Sequence, residues 1–172
     1  MIVLLRIDDR LIHGQVVEGW VNHLKATCIL VADDKVAANP LQRTILEIAV
    51  PQGLKVLIGS VGEICEKLRA RYDAAERAIV LFSNPADALQ FLRNAPAPRH
   101  QLNLGGMHAV PGKRRLMDVL AVDDADLDAL QGIMQLGVEV DVQTVPTEKP
   151  HPLAKILKAC LGGPGTPSPH TS

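Results

Sequence analysis

The chain has 172 residues and a mass of 18.5 kDa, enough for one domain with a core of its own. Hydrophobic residues make up 47% and charged residues 22%, which excludes wholesale disorder. Eighteen Lys and Arg against nineteen Asp and Glu leave a net charge of −1, so no basic field gathers nucleic acid or an anionic membrane, and the four aromatic residues (Trp20, Tyr72, Phe82, Phe91) are too few for a base-stacking surface.

The opening MIVLLRIDDR lacks the long apolar stretch of a signal peptide, and no run of about 18 apolar residues is present to span a bilayer. Cys28, Cys65 and Cys160 are scattered and form no CxxC, the pattern of reduced core thiols in a cytoplasmic protein. Residues 1–7 (MIVLLRI) form a mostly continuous apolar run, as a buried parallel strand requires. Val16, Val17, Trp20, Val21 and Leu24 then fall at helical spacing, with the helix starting near Gly14. A second strand is predicted at Thr27–Val31. Asn39-Pro40 opens a helix with one apolar stripe, Leu41, Ile45, Leu46, Ile48 and Ala49. A third strand, Lys55–Gly59, leads to Ser60, an N-cap with Glu63 three residues on as a capping box, and to a helix carrying Val61, Ile64, Cys65 and Leu68.

The fourth strand, Ala78–Phe82, precedes Ser83-Asn84-Pro85 and a helix carrying Ala88, Leu89 and Leu92. A Pro-rich connector, Asn94–His100, follows. Weaker strands are predicted at Gln101–Leu104 and Leu116–Val122, and Lys113-Arg114-Arg115 reads as a solvated turn. Asp123 or Asp124 caps a helix carrying Leu127, Leu130 and Ile133, which Gly137 stops, and Val138–Val142 closes the strand series. His151–Leu161 has an amphipathic pattern, and Gly162–Ser172 has the composition of a disordered tail. Strands alternating with helices specify a single-domain α/β fold, a mainly parallel open sheet of about seven strands with helices on both faces.

Ligands of such sheets bind beyond the carboxyl ends of the strands. The first such end, Ile7, runs straight into Asp8-Asp9-Arg10-Leu11-Ile12-His13-Gly14-Gln15. A helix N-terminus at Gly14 attracts anions, phosphate above all, and Arg10 adds a bidentate grip on phosphoryl oxygens. An imidazole beside such donors points to His13 as a phosphoryl acceptor, since a neutral ring nitrogen is available at pH 7. Carboxylates would repel phosphate, so Asp8 or Asp9 is expected to orient the His13 ring or to pair with Arg6 or Arg10. The plainer alternative is a polar turn with a capping or core histidine. Ser83, on the same sheet edge, either donates to phosphate or caps its helix. Asn103–Met107 ends the next strand and forms a further wall. Gly106–Arg114 fails as a P-loop, with five residues between its glycines and Arg114 where a Ser or Thr would hold magnesium. The histidines share no metal-ligand spacing, so no metal is expected, and no GxGxxG follows the first strand, so no dinucleotide cofactor is expected either. Trp20 belongs to the apolar stripe, and packs in the core.

The run Arg6–Val16 followed by Trp20 resembles the signature of the IIB component of the mannose/fructose/sorbose class of the bacterial phosphoenolpyruvate-dependent sugar phosphotransferase system (PTS). The resemblance continues through Phe82–Pro85, Asn103–Met107, Gly137-Val138 and Gln143–Pro146, and covers residues 1 to about 148. It implies a seven-stranded, mainly parallel sheet and no metal. It implies that His13 is phosphorylated, at Nδ1, by a phosphorylated IIA protein, and passes the group to a sugar held by the membrane components IIC and IID. It also implies that Arg10 binds the phosphate and that loop Asp8–Gln15, with Gly14 and Gln15, forms the site, with Ser83 in a neighbouring wall. The protein would then be cytoplasmic, peripherally associated with its transporter, and without nucleic-acid partners; a homo-oligomer stays open. Residues 149–172 are an addition to the expected 1–148 domain. A regulatory phosphoprotein whose state is read by a signalling partner, and an anion-binding module with no covalent step, are the alternatives.

Overall fold

The structure, a computed structural model, describes residues 1–70, 76–95 and 100–161. Tyr72, most of the Pro-rich connector and the tail 162–172 lie outside the described residues. A strand buried on both faces must be apolar at every position, and β4 (Ala78–Phe82) is the clearest case. Ala78, Val80 and Phe82 enter one core layer while Ile79 and Leu81 enter the other, all with no solvent exposure. β2 (Cys28–Ala32) repeats the pattern. These two join β1 (Ile2–Asp8), β3 (Lys55–Gly59), β5 (Gln101–Gly106), β8 (Glu139–Val142) and β9 (His151–Pro152) in one seven-stranded sheet, ordered β3-β2-β4-β1-β5-β8-β9. Every pairing is parallel except β8 with β9.

One face carries α4 (Val61–Ala70), α5 (Pro85–Asn94), α6 (Asp124–Gln135) and α7 (Leu153–Leu161). The other carries α1, a π-helical stretch (Gln15–Val21) continued by an α-helical turn (Asn22–Leu24), then α2 (Asp34–Ala37) and α3 (Pro40–Ile48). β1 is central, and its chain leaves toward the α1 face, whereas both neighbours, β4 and β5, lead to elements of the opposite face. Such a reversal opens a crevice at the carboxyl end of the strand.

Local signals set most boundaries. Asn39 and Asn84 accept from the backbone N–H of Gln42 and Asp87, and a proline follows each. Ser60 and Glu63 cap α4 reciprocally. Asp123, not Asp124, caps α6, in a box with Asp126. Gly137 takes φ of +79° after α6, a conformation that favours glycine.

Five expectations are corrected. Leu116–Val122 is not a strand of the main sheet. Asp118 interrupts the apolar run, and the chain folds back as a hairpin of β6 (Arg114–Met117) and β7 (Leu120–Val122). The seventh place in the sheet belongs to β9. Arg114 and Arg115 therefore open a strand and are not turn residues, while Lys113 pairs with Asp126 at 2.7 Å. The stripe of α3 is not buried: Leu41, Ile45 and Ile48 are 69%, 58% and 78% exposed, and only Leu46 packs inward. Helical spacing creates an apolar face, but it does not supply an element to cover it. Cys160 is exposed, whereas Cys28 and Cys65 are core thiols. The first helix begins as a π-helix, a form frequent at functional sites. Residues 149–161 supply β9 and α7, and Leu153 and Leu157 pack into the same core as the rest of the domain.

Candidate active site

Strand alternation sends Leu5 and Ile7 into the α4–α7 layer and Arg6 to the α1 side, where its guanidinium lies 5.5 Å from the Trp20 ring. Arg6 is fully buried. A buried guanidinium must be matched by acceptors, and four surround it: Asn103 Oδ1, opposite it on β5, the carbonyls of Gln143 (3.0 Å) and Thr144 (3.1 Å), and Asp8 Oδ2 (2.8 Å). Arg6 Nε is left without a partner. Gly105 is dictated by this cation, since a Cβ there would stand 1.9 Å from Arg6 Cζ. Desolvation pulls the Arg6 pKa down, and the charge and hydrogen bond of Asp8 oppose it.

Asp8, also fully buried, is the hub. Its Oδ2 accepts from Arg6 and lies 2.9 Å from His13 Nε2; its Oδ1 accepts from the backbone N–H (3.2 Å) and the Nε (3.3 Å) of Arg10. Burial alone would raise its pKa. The His13 hydrogen bond and the charges of Arg6, His13 and Arg10 outweigh burial and hold it at about 2. Asp8 is thus a carboxylate at neutral pH, able only to accept, so the proton between the two groups belongs to His13 Nε2. The neutral ring then carries its lone pair on Nδ1.

The loop that brings His13 back onto Asp8 turns at Leu11, whose φ is +56° although it is not a glycine. The turn is held by Leu11 N–H donating to Asp8 O at 2.9 Å and by Leu11 and Ile12 buried among the α1 and α2 side chains. The His13 side chain is 16% exposed and that of Arg10 is 40% exposed, so both groups can be reached. Arg10 Nη2 donates to Gln15 Oε1 at 2.9 Å, which aims the guanidinium along the start of α1.

Asp9 points away from His13. It accepts from the backbone N–H of His108 and pairs with His108 Nδ1, both at 2.6 Å. Ser83 shares a groove of about 310 Å³ with Asp9, Arg10, Leu11 and Ile45. Its hydroxyl donates to the buried Asp33, and Asn84, not Ser83, caps α5. The structure therefore gathers Asp8, Arg10, His13, Gly14 and Gln15 in one place, with Asp9 and Ser83 on its rim. Trp20 is core, its Nε1 donating to Thr144 O at 3.0 Å. Sequence reasoning missed Asn103, Gly105 and His108 as individual side chains; the only signal was that a strand end at Asn103–Met107 should form a wall. Among the described residues no three His, Cys, Asp or Glu side chains group as a metal site would require.

The family model for the sorbose subfamily IIB component of the PTS matches residues 2–161, through α7. The N-acetylgalactosamine-specific phosphotransferase enzyme IIB component 2 of Escherichia coli K12 is 35% identical over 156 residues, 91% of this chain and 98% of that protein. The sorbose-specific EIIB component of Klebsiella pneumoniae is 35% identical over 147 residues, 86% and 89% of the two chains. The mannose-specific EIIAB component of Escherichia coli K12 is 32% identical over 86% of this chain, which spans 46% of that longer protein. The crystal structure of the IIBSor domain of the Klebsiella pneumoniae sorbose permease superposes with a TM-score of 0.86 at 32% identity, covering 93% of this chain and 98% of that one. With a family match over nearly its whole length and a seven-stranded fold shared with a solved IIB domain, the chain belongs to the sorbose subfamily of PTS IIB components.

Proposed function

We propose that this IIB component is a phosphoryl carrier whose covalent intermediate is formed on His13 Nδ1. The observation that carries the reading is the 2.9 Å contact of His13 Nε2 with the buried, ionised Asp8, which leaves Nδ1 as the nucleophilic nitrogen. In the incoming step a IIA phosphohistidine presents its phosphoryl group to Nδ1. The P–N bond to the donor breaks as the P–Nδ1 bond forms, and both rings keep their protons. The positive charge that develops on the His13 ring falls against Asp8. Arg10 neutralises the phosphoryl oxygens, and the backbone N–H groups at Gly14 and Gln15, where α1 begins, add donors. In the outgoing step a sugar held by the membrane IIC and IID components takes the group. Ser83 reaches the phosphate only by giving up its bond to Asp33, so we assign it to the groove wall.

The test is the intact mass of the protein before and after incubation with phosphoenolpyruvate, enzyme I, the phosphocarrier HPr and a IIA protein. Wild type is expected to gain one acid-labile phosphoryl group and His13→Ala none. A phosphorylated His13→Ala variant would refute the assignment.

A further inference from the structure

The adjacent carboxylates Asp8 and Asp9 each hold one imidazole, and they hold them by opposite nitrogens. Asp8 takes Nε2 of His13, whereas Asp9 takes Nδ1 of His108 while also accepting from the His108 backbone N–H. Asp9 is tied in turn to β5, its own N–H donating to Gly106 O at 3.1 Å. A carboxylate only accepts, so His108 carries its proton on Nδ1 and its neutral ring keeps the Nε2 lone pair. The side chain is 52% exposed, so that nitrogen can exchange protons with water. The ring borders the phosphoryl site: a Cβ built at Gly106 would lie 3.7 Å from His108 Cε1, 3.7 Å from Asp8 Oδ1 and 3.9 Å from Arg10 Nη2. Asp9 contacts this imidazole, and Asp8 and Arg10 line the same Gly106 position that its Cε1 borders.

The two transfers of a phosphoryl carrier differ in their proton balance. Imidazole-to-imidazole transfer moves no proton, because each ring leaves or attacks through a lone pair. Transfer to a hydroxyl does: the oxygen–phosphorus bond forms, the P–Nδ1 bond breaks, His13 departs as a neutral ring, and the hydroxyl proton needs an acceptor. On His13, Nε2 already carries a proton and the Nδ1 lone pair is held in the P–N bond until that bond breaks, so a base that takes the proton while the oxygen–phosphorus bond forms must be a second group. We infer that His108 is that acceptor, a general base on Nε2 for the outgoing step, oriented by Asp9. This rests on the carrier reading of His13.

The experiment uses purified full-length protein, phosphorylated by the phosphoenolpyruvate, enzyme I, HPr and IIA chain and then separated from it. Water serves as the hydroxyl acceptor, and loss of the phosphoryl group is followed by intact mass for wild type and His108→Gln. We expect the variant to be loaded within about twofold of the wild-type rate but to lose the group at least about tenfold more slowly at neutral pH. Equal rates of loss in the two proteins, or slowed loading of the variant, would overturn the role of His108 and leave the carrier reading intact. Failure of wild type itself to be phosphorylated would overturn both.

Discussion

Replacing Asp8 with Asn keeps the shape of the hub and removes its charge. Among the described residues Asp8 is the only carboxylate bonded to the fully buried Arg6, and truncating one partner of such a pair strands the other charge, at a cost of about 3 to 5 kcal/mol. Arg6 retains Asn103 Oδ1 and two carbonyls, so the lower figure, about 3 kcal/mol, is expected. The pH dependence gives an independent value. A carboxyl lowered in the folded state from 3.8 to about 2 stabilises the protein by roughly 2 to 3 kcal/mol at neutral pH. Because its folded pKa is depressed, that stability is fully present above the unfolded value. It is lost as the pH falls from about 4 through about 2. Urea unfolding followed by the fluorescence of Trp20, the sole tryptophan and a neighbour of Arg6, measures both quantities. Asp8→Asn should be less stable by about 3 kcal/mol at pH 7 and should lack the part of the acid loss that Asp8 contributes in wild type. The Asn amide oxygen keeps the place that accepts from both Arg6 and His13 but lacks the charge against which the positive charge on the His13 ring develops, slowing phosphorylation on the order of 10²-fold or more. A variant as stable as wild type at pH 7, with an unchanged acid limb, would refute the account of the hub.

Gly105→Ala places a methyl group inside the space of a guanidinium held by four acceptors; we expect a loss of about 1 to 3 kcal/mol in urea unfolding, together with slowed phosphorylation because Arg6 and Asp8 shift. Arg10→Ala removes a half-exposed side chain; its unfolding midpoint should stay near that of wild type, while the rate of phosphoryl transfer from phospho-IIA falls by about tenfold or more. Asp123→Ala breaks the capping box of α6; thermal or urea unfolding should show a loss of about 1 kcal/mol, with no change in the rate of phosphorylation.

Much of this protein is written locally. Ala78–Phe82 is a strand at the predicted bounds, because a run apolar at every position is stable only when both faces are covered, and Lys55–Gly59 is another, at the sheet edge with Lys55 exposed. Asn39-Pro40, Ser60 with Glu63, Asn84-Pro85, Asp123 and Gly137 mark helix ends through bonds that span three or four residues, so the sequence alone carries them. The cluster of charged and polar side chains from Asp8 to Gln15 is legible for the same reason: its members are neighbours in the chain. What the sequence left open were relations across the sheet. It allowed Asp8 or Asp9 to orient His13, and only the pleat and the positive φ of Leu11 turned Asp8 inward to His13 and Asp9 outward to His108, 99 residues away. The burial of Arg6 depends on the register that sets Asn103 opposite it, and on Gly105 leaving room. The exposed stripe of α3, the hairpin at Leu116–Val122 and the exposed Cys160 have the same origin. Composition and spacing fix which residues are able to be buried, but burial itself depends on which distant element arrives to cover them, and that is decided by the assembled tertiary structure.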